Sequence, residues 1–180
     1  MNPAPNLFLI GPMGAGKTTI GRRVAARLGL PFFDLDQIIE QQSGVRVALI
    51  FEMEGEAGFR RRESTALAEY AARDGIVLAT GGGAVLAEAN RRLLHERGYV
   101  VLLQTSVEQQ LRRLANDRKR PLLAAPDRRA RLEALAAQRD PIYRELADLI
   151  FDPRSATVPE AAHALAGLLE TRWQRTRCAA

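Results

Sequence analysis

The sequence predicts an α/β fold in which a parallel sheet is covered by helices on both faces. Three observations carry that expectation. Apolar runs of four to six residues recur along the chain, longer segments of helical period lie between them, and capping or turn signals mark several of the boundaries. The 180 residues fit one domain at roughly 150 residues per domain, and suffice to bury about 70% of the unfolded surface. Apolar residues make up 47% of the chain and charged residues 26%, values that exclude a collagen-like repeat or a small disulfide scaffold.

In chain order, strands are expected at 6–10, 32–35, 76–80, 99–103 and 148–152, and helices at 17–28, 36–43, 46–53, 60–73, 88–97, 106–115, 128–138, 140–147 and 158–175. The first helix closes at Leu28-Gly29-Leu30-Pro31, where a glycine suited to the C′ position precedes a proline that cannot continue the helix. Ser106-Val107-Glu108-Gln109 and Thr157-Val158-Pro159-Glu160 fit capping boxes, so helices start there. Asp140-Pro141 reads as a helix boundary, because the residue before a proline is pushed out of the helical region. The stretch from Asn116 to Arg129 is the least periodic and most charged part of the chain, and it reads as a mobile loop.

The formal net charge of +5 leaves nucleic acid, an acidic membrane surface and small anions open as partners. A membrane span is not expected, since an apolar run such as Tyr99–Leu103 is far shorter than the 18 or so residues that one needs. The start of the chain has no basic n-region, and a cytoplasmic location is expected. Cys178 is the single cysteine, so neither an intrachain disulfide nor a cysteine metal cage is expected. His95 and His163 stand on predicted helices without paired ligands, and Trp173 reads as a packing residue beside Leu165, Leu168 and Leu169. Basic residues concentrate between Arg112 and Arg139, a stretch with no Phe, Trp or Tyr to stack on bases, which argues against nucleic acid. Lysine occurs only at Lys17 and Lys119.

Gly11-Pro12-Met13-Gly14-Ala15-Gly16-Lys17-Thr18 matches G-x-x-x-x-G-K-[ST], and it lies between an expected strand and an expected helix, as the motif requires. In such a P-loop the glycines let successive backbone N–H groups face one concavity, and the helix adds its positive end. Gly14, Ala15, Gly16, Lys17, Thr18 and Thr19 are therefore the candidate nucleotide cradle. Lys17 suits the terminal phosphates and Thr18 the Mg²⁺ that bridges them. Neither D-x-x-G nor N-K-x-D occurs in the chain, which argues against a GTP switch and leaves the small kinases.

Phe32-Phe33-Asp34-Leu35-Asp36 sets two carboxylates at i and i+2 at a strand's C-terminal end, the edge of an α/β sheet where ligands bind. Further on come Gly55-Glu56-Ala57-Gly58-Phe59-Arg60-Arg61-Arg62-Glu63, Thr80-Gly81-Gly82-Gly83, Arg120-Pro121-Leu122-Leu123 and Arg139-Asp140-Pro141-Ile142-Tyr143. This ordered set resembles the shikimate kinase family over Leu7 to about Pro159.

The resemblance implies a three-layer P-loop kinase fold with strand order 2-3-1-4-5, and a single domain over 1–180 with a lid at about 114–128. It implies transfer of the γ-phosphoryl of ATP to the 3-hydroxyl of shikimate, with Mg²⁺ as cofactor, by a cytoplasmic monomer. It implies a metal-holding role for Thr18 and Asp34, a catalytic and substrate-binding role for Asp36, and carboxylate clamps at Arg60 and Arg139. Gly82 is implied as a substrate contact, and Arg113 and Arg120 as nucleotide contacts, with Lys17 and Arg120 catalytic. Arginine suits a carboxylate clamp, because its planar, always-charged fork binds bidentately. Within Arg60-Arg61-Arg62, successive helical side chains point about 100° apart, so Arg61 and Arg62 read as solvated. The adenine contacts are expected near 152–159. A gluconate or nucleoside monophosphate kinase of the same architecture, and a nucleotide-regulated nucleic-acid binder, remain as rivals at this point.

Overall fold

Strands β1 (Asn6–Ile10), β2 (Phe32–Asp34), β3 (Val77–Ala79), β4 (Gly98–Leu103) and β5 (Leu149–Phe151) pair in the order β2-β3-β1-β4-β5, every pair parallel. This computed structural model describes residues 4–115, 127–153 and 156–174. β1 and β4 are buried along their whole length, which is why they read as continuous apolar runs rather than alternating ones. Leu7 and Leu9 of β1 face α1 (Lys17–Leu28) and α7 (Val158–Arg172), packing with Val24, Leu165, Leu169 and Trp173. Phe8 and Ile10 turn to the opposite face, where α2 (Leu35–Ser43), α3 (Val47–Ala71) and α4 (Glu88–Arg97) supply Ile39, Leu67 and Leu94. A third apolar cluster joins Met13 to Leu114, Leu132 and Leu135, between α5 (Val107–Arg113) and α6 (Arg128–Leu146).

Both capping boxes form, at Ser106 and at Thr157, and Gly29 ends α1 in the left-handed conformation. Trp173 packs beside Tyr99 at 6.3 Å between ring centroids, and its indole N–H donates to the Ala4 carbonyl at 2.8 Å.

The helices expected at 46–53 and 60–73 form as two helical segments of α3 on either side of a kink at Gly55, whose φ of 69° and ψ of −178° are not helical. Phe51 stacks on Phe59 at 4.6 Å and Arg62 pairs with Glu54 at 2.6 Å across the bend, so packing and charge join what a glycine interrupts. Arg62 is thus solvated but partnered. One expectation needs correction. The boundary expected at Asp140-Pro141 is absent: α6 runs through Pro141. Leu132, Leu135, Arg139 and Tyr143 form one buried stripe along it, and keeping that stripe in register outweighs the hydrogen bond that proline cannot make. A 3₁₀ turn at Ala84–Leu86, not foreseen, follows the glycine run. Arg120, Cys178 and most of the expected lid at 114–128 lie outside the described residues.

Candidate active site

The loop between β1 and α1 curls under tight constraints. Gly11 has φ 133°, and a Cβ there would collide with the Leu103 carbonyl oxygen at the end of β4, so only glycine fits. Lys17 opens α1 and its ammonium donates to the Gly11 and Pro12 carbonyls at 2.7 and 2.8 Å. Those bonds hold the charge within the loop, where a phosphate could draw it away.

Asp34 has two jobs. One oxygen caps α2, accepting from the backbone N–H of Asp36 and Gln37 at 3.1 and 3.4 Å. The other accepts from the Thr18 hydroxyl at 2.5 Å. A carboxylate and a hydroxyl held together beside a phosphate-binding loop form the oxygen-only donor set that Mg²⁺ favours, with phosphates and water completing its shell.

Asp36, in the first turn of α2, begins a charged cluster that continues away from the P-loop. A Cβ added at Gly81 would come within 3.4 Å of an Asp36 carboxylate oxygen, and it would overlap Glu63 Oε1. Glu63 is fully buried, and it accepts from Arg60 Nη1 at 2.6 Å. Glu56 accepts from Arg60 Nη2 at 2.9 Å, and the guanidinium lies against Gly83. Burial pushes the Glu63 carboxyl above its ordinary value more strongly than Arg60 pulls it down, and the Asp36 charge adds to the rise. Arg139 is 5% exposed and lies beside Gly82 and Tyr143. The Tyr143 hydroxyl donates to the Gly82 carbonyl, and burial pushes its pKa up to about 12. Three buried polar atoms, Arg60 Nε, Glu63 Oε1 and Arg139 Nε, have no hydrogen-bond partner among the described residues. Buried polar atoms are ordinarily satisfied, so this concentration in one cluster marks a place for a polar ligand.

A cleft of about 490 Å³ joins these parts. The loop residues Gly14 to Thr19, with Asp34, Asp36, Thr80, Gly81 and Gly82, line it, as do Pro153, Thr157 and Val158. Arg113 lines it as well, and donates to the Gly14 carbonyl at 2.9 Å. Arg60 and Arg139 do not reach the open cleft; they stand behind the glycines at its border.

The family model for shikimate kinase matches residues 13–170. The chain belongs to the shikimate kinase family. It is 55% identical over 175 residues to a shikimate kinase of Stenotrophomonas maltophilia, covering 97% of each. It is 60% identical over 146 residues to one of Bordetella avium, covering 81% of this chain and 70% of that one. A solved shikimate kinase from Acinetobacter baumannii in complex with shikimate superimposes with a TM-score of 0.91 at 44% identity, covering 94% of this chain and 95% of that one. The strand order is the one that the resemblance to shikimate kinases implied.

Of the residues singled out in the sequence, Gly14 to Thr19, Asp34, Asp36, Gly82 and Arg113 meet at one cleft, with Arg60 and Arg139 behind its border. Arg120 falls outside the described residues. Glu63 and Tyr143 belong to the charged cluster and had been given no role. A signal was present: Glu63 is i+3 from Arg60 and Tyr143 is i+4 from Arg139, each on the same helical face as a candidate clamp.

Proposed function

We propose that this protein transfers the γ-phosphoryl of ATP to the 3-hydroxyl of shikimate, giving shikimate 3-phosphate and ADP on the route to aromatic amino acids. The observation that supports the residue assignments best is the position of Asp36. It faces the cleft between the Thr18–Asp34 edge of the P-loop and the Arg60–Glu63 pair. An acceptor hydroxyl beside Asp36 lies within reach of a phosphate in the loop, while a carboxylate on the same molecule extends toward the arginines.

Asp36 orients that hydroxyl and takes its proton as the phosphoryl group arrives. Arg139 and Arg60 bind the carboxylate, supplying the unpartnered Nε–H donors. Gly82 leaves room for the ring, and Tyr143 holds its carbonyl in place. Lys17 turns from the Gly11 and Pro12 carbonyls to the terminal phosphates. Thr18 and Asp34 would hold Mg²⁺, which when bound neutralises phosphate charge. Arg113 stands on the nucleotide side, and Arg120 is assigned to the γ-phosphate by resemblance alone. Pro153, Val158 and Ala161 give the adenine an apolar edge. The protein acts as a single-domain cytoplasmic monomer.

The test is ADP release from Mg·ATP with shikimate, gluconate or nucleoside monophosphates as acceptor, with Lys17→Ala protein as contamination control. Turnover that depends on shikimate and vanishes in the control is expected. Equal turnover with another acceptor, or turnover that persists in Lys17→Ala, would overturn the reading.

A further inference from the structure

The tip of the P-loop is a four-residue turn, a unit that has a type I and a type II form. Ala15 N–H donates to the Pro12 carbonyl at 3.3 Å, leaving Met13 and Gly14 as the central residues. Gly14 has φ 75°, the value of a type II turn at its third position, where a type I turn has φ near −90°. The two forms differ by a flip of the central peptide, here Met13–Gly14. That unit is planar and trans, so its C=O and N–H point in opposite directions. In one form an N–H is offered on a given side, and in the other a carbonyl.

One side chain holds the peptide that differs between them. Gln110 of α5 is 3% exposed, and its Nε2 donates to the Met13 carbonyl at 2.8 Å. The Met13 side chain is held by the same pair of helices, through Leu114, Leu132 and Leu135. With the carbonyl drawn to α5, the Gly14 N–H points away from it, and Gly14 lines the cleft. A phosphate oxygen accepts from an N–H and is repelled by a carbonyl, so the orientation of this one peptide matters to an anion.

We propose that Gln110 is a positioning residue for nucleotide binding, its amide locking the Met13–Gly14 peptide in the form that offers an N–H to phosphate. The inference rests on the reading of the cleft as the nucleotide site. Gln110 touches no reacting atom, and a purely structural staple between α5 and the loop would lower stability without changing ligand affinity selectively.

The experiment measures Mg-ADP and shikimate binding by calorimetry, with thermal unfolding, on the wild type, Gln110→Met and Gln110→Glu. Methionine keeps the length and loses the donor, and Mg-ADP affinity is expected to fall on the order of ten-fold, the range for a lost buried hydrogen bond. Shikimate affinity is expected to stay within about two-fold of wild type. In Gln110→Glu a carboxylate cannot donate to Met13, but a protonated carboxyl can. Its Mg-ADP deficit relative to wild type should therefore shrink as the pH falls from about 8 to about 5.5, the range over which a buried glutamate takes up its proton. That recovery is a response a structural staple would not give, and it decides the matter if Gln110→Met fails to fold. Wild-type affinity in Gln110→Met, equal losses for both ligands, or a deficit in Gln110→Glu that ignores pH would each overturn the inference alone. A wild-type protein that binds shikimate but no Mg-ADP would overturn the nucleotide reading and this inference with it.

Discussion

The proposed nucleotide half of the site is made mostly of backbone from one contiguous stretch, Gly14 to Thr19, whereas the proposed acceptor half draws charged side chains from three helices and backbone from the glycines that follow β3. Asp36 comes from α2, Arg60 and Glu63 from α3, Gly81 and Gly82 from the end of β3, and Arg139 and Tyr143 from α6. The first half presents fixed dipoles, which suit any polyphosphate. The second sets buried ionic groups against each other, a more selective and more fragile device, since removing one partner leaves the other buried and uncompensated. Changes in the acceptor half should therefore alter recognition of one substrate while leaving the nucleotide untouched.

The largest separation should come from Asp36→Asn. Turnover is expected to fall on the order of a thousand-fold, within the span of general-base effects, while Mg-ADP binding measured by calorimetry stays at the wild-type level. Unchanged turnover would remove Asp36 from the proton transfer. Arg139→Ala comes next: loss of a buried charged donor should weaken shikimate binding about 100-fold, with little change in the KM for ATP. Equal losses for both ligands would erase the contrast between the halves. Gly81→Ala sharpens it without touching a charge. The new methyl would overlap Glu63 Oε1, so Glu63 and Arg60 must shift, and shikimate affinity should drop roughly ten-fold while Mg-ADP titrations stay as in wild type.

The smallest effect concerns acidity. Burial holds the Glu63 carboxyl above its ordinary value in the folded protein, so the folded state takes up its proton at a higher pH than the unfolded chain does. This group therefore costs stability as pH rises from the ordinary carboxylate value through the raised folded one. Glu63→Gln should remove that descent, giving a flatter curve of Tm against pH above about 4.5. Parallel curves for the two proteins would show that Glu63 titrates normally.

The same contrast governs what could be read in the sequence. Gly11 to Thr18 is legible because its geometry is local: a glycine pattern between a strand and a helix determines where the N–H groups point. Strand positions followed from apolar runs, since a parallel sheet covered on both faces leaves no alternation to mislead. The acceptor half was legible only through the resemblance, because its residues are far apart in the chain and its ion pairs depend on tertiary packing. Local rules failed where packing overrode them. Pro141 breaks an isolated helix, yet α6 passes through it to keep Arg139 and Tyr143 in one buried stripe. The gap left between the helices at 46–53 and 60–73 was sound, since the backbone at Gly55 leaves helical geometry and α3 is kinked there. Glu63 had been given no role, and apart from its i+3 spacing from Arg60 it resembles Glu69, which is exposed.

The Arg60–Glu63 pair has a consequence for how the acceptor site behaves among the ions of a cell. Carboxylates of Asp36, Glu56 and Glu63 stand among the guanidinium groups of Arg60 and Arg139, so the site is not a magnet for anions at large. Inorganic phosphate or chloride would find the Arg60 guanidinium already answered by Glu56 and Glu63. Only a molecule with hydroxyls for the acids and a carboxylate for the bases, at matching separation, satisfies both sets at once. Binding of such a molecule should vary little with ionic strength, while capture of the polyphosphate, drawn by net positive charge, weakens as salt rises.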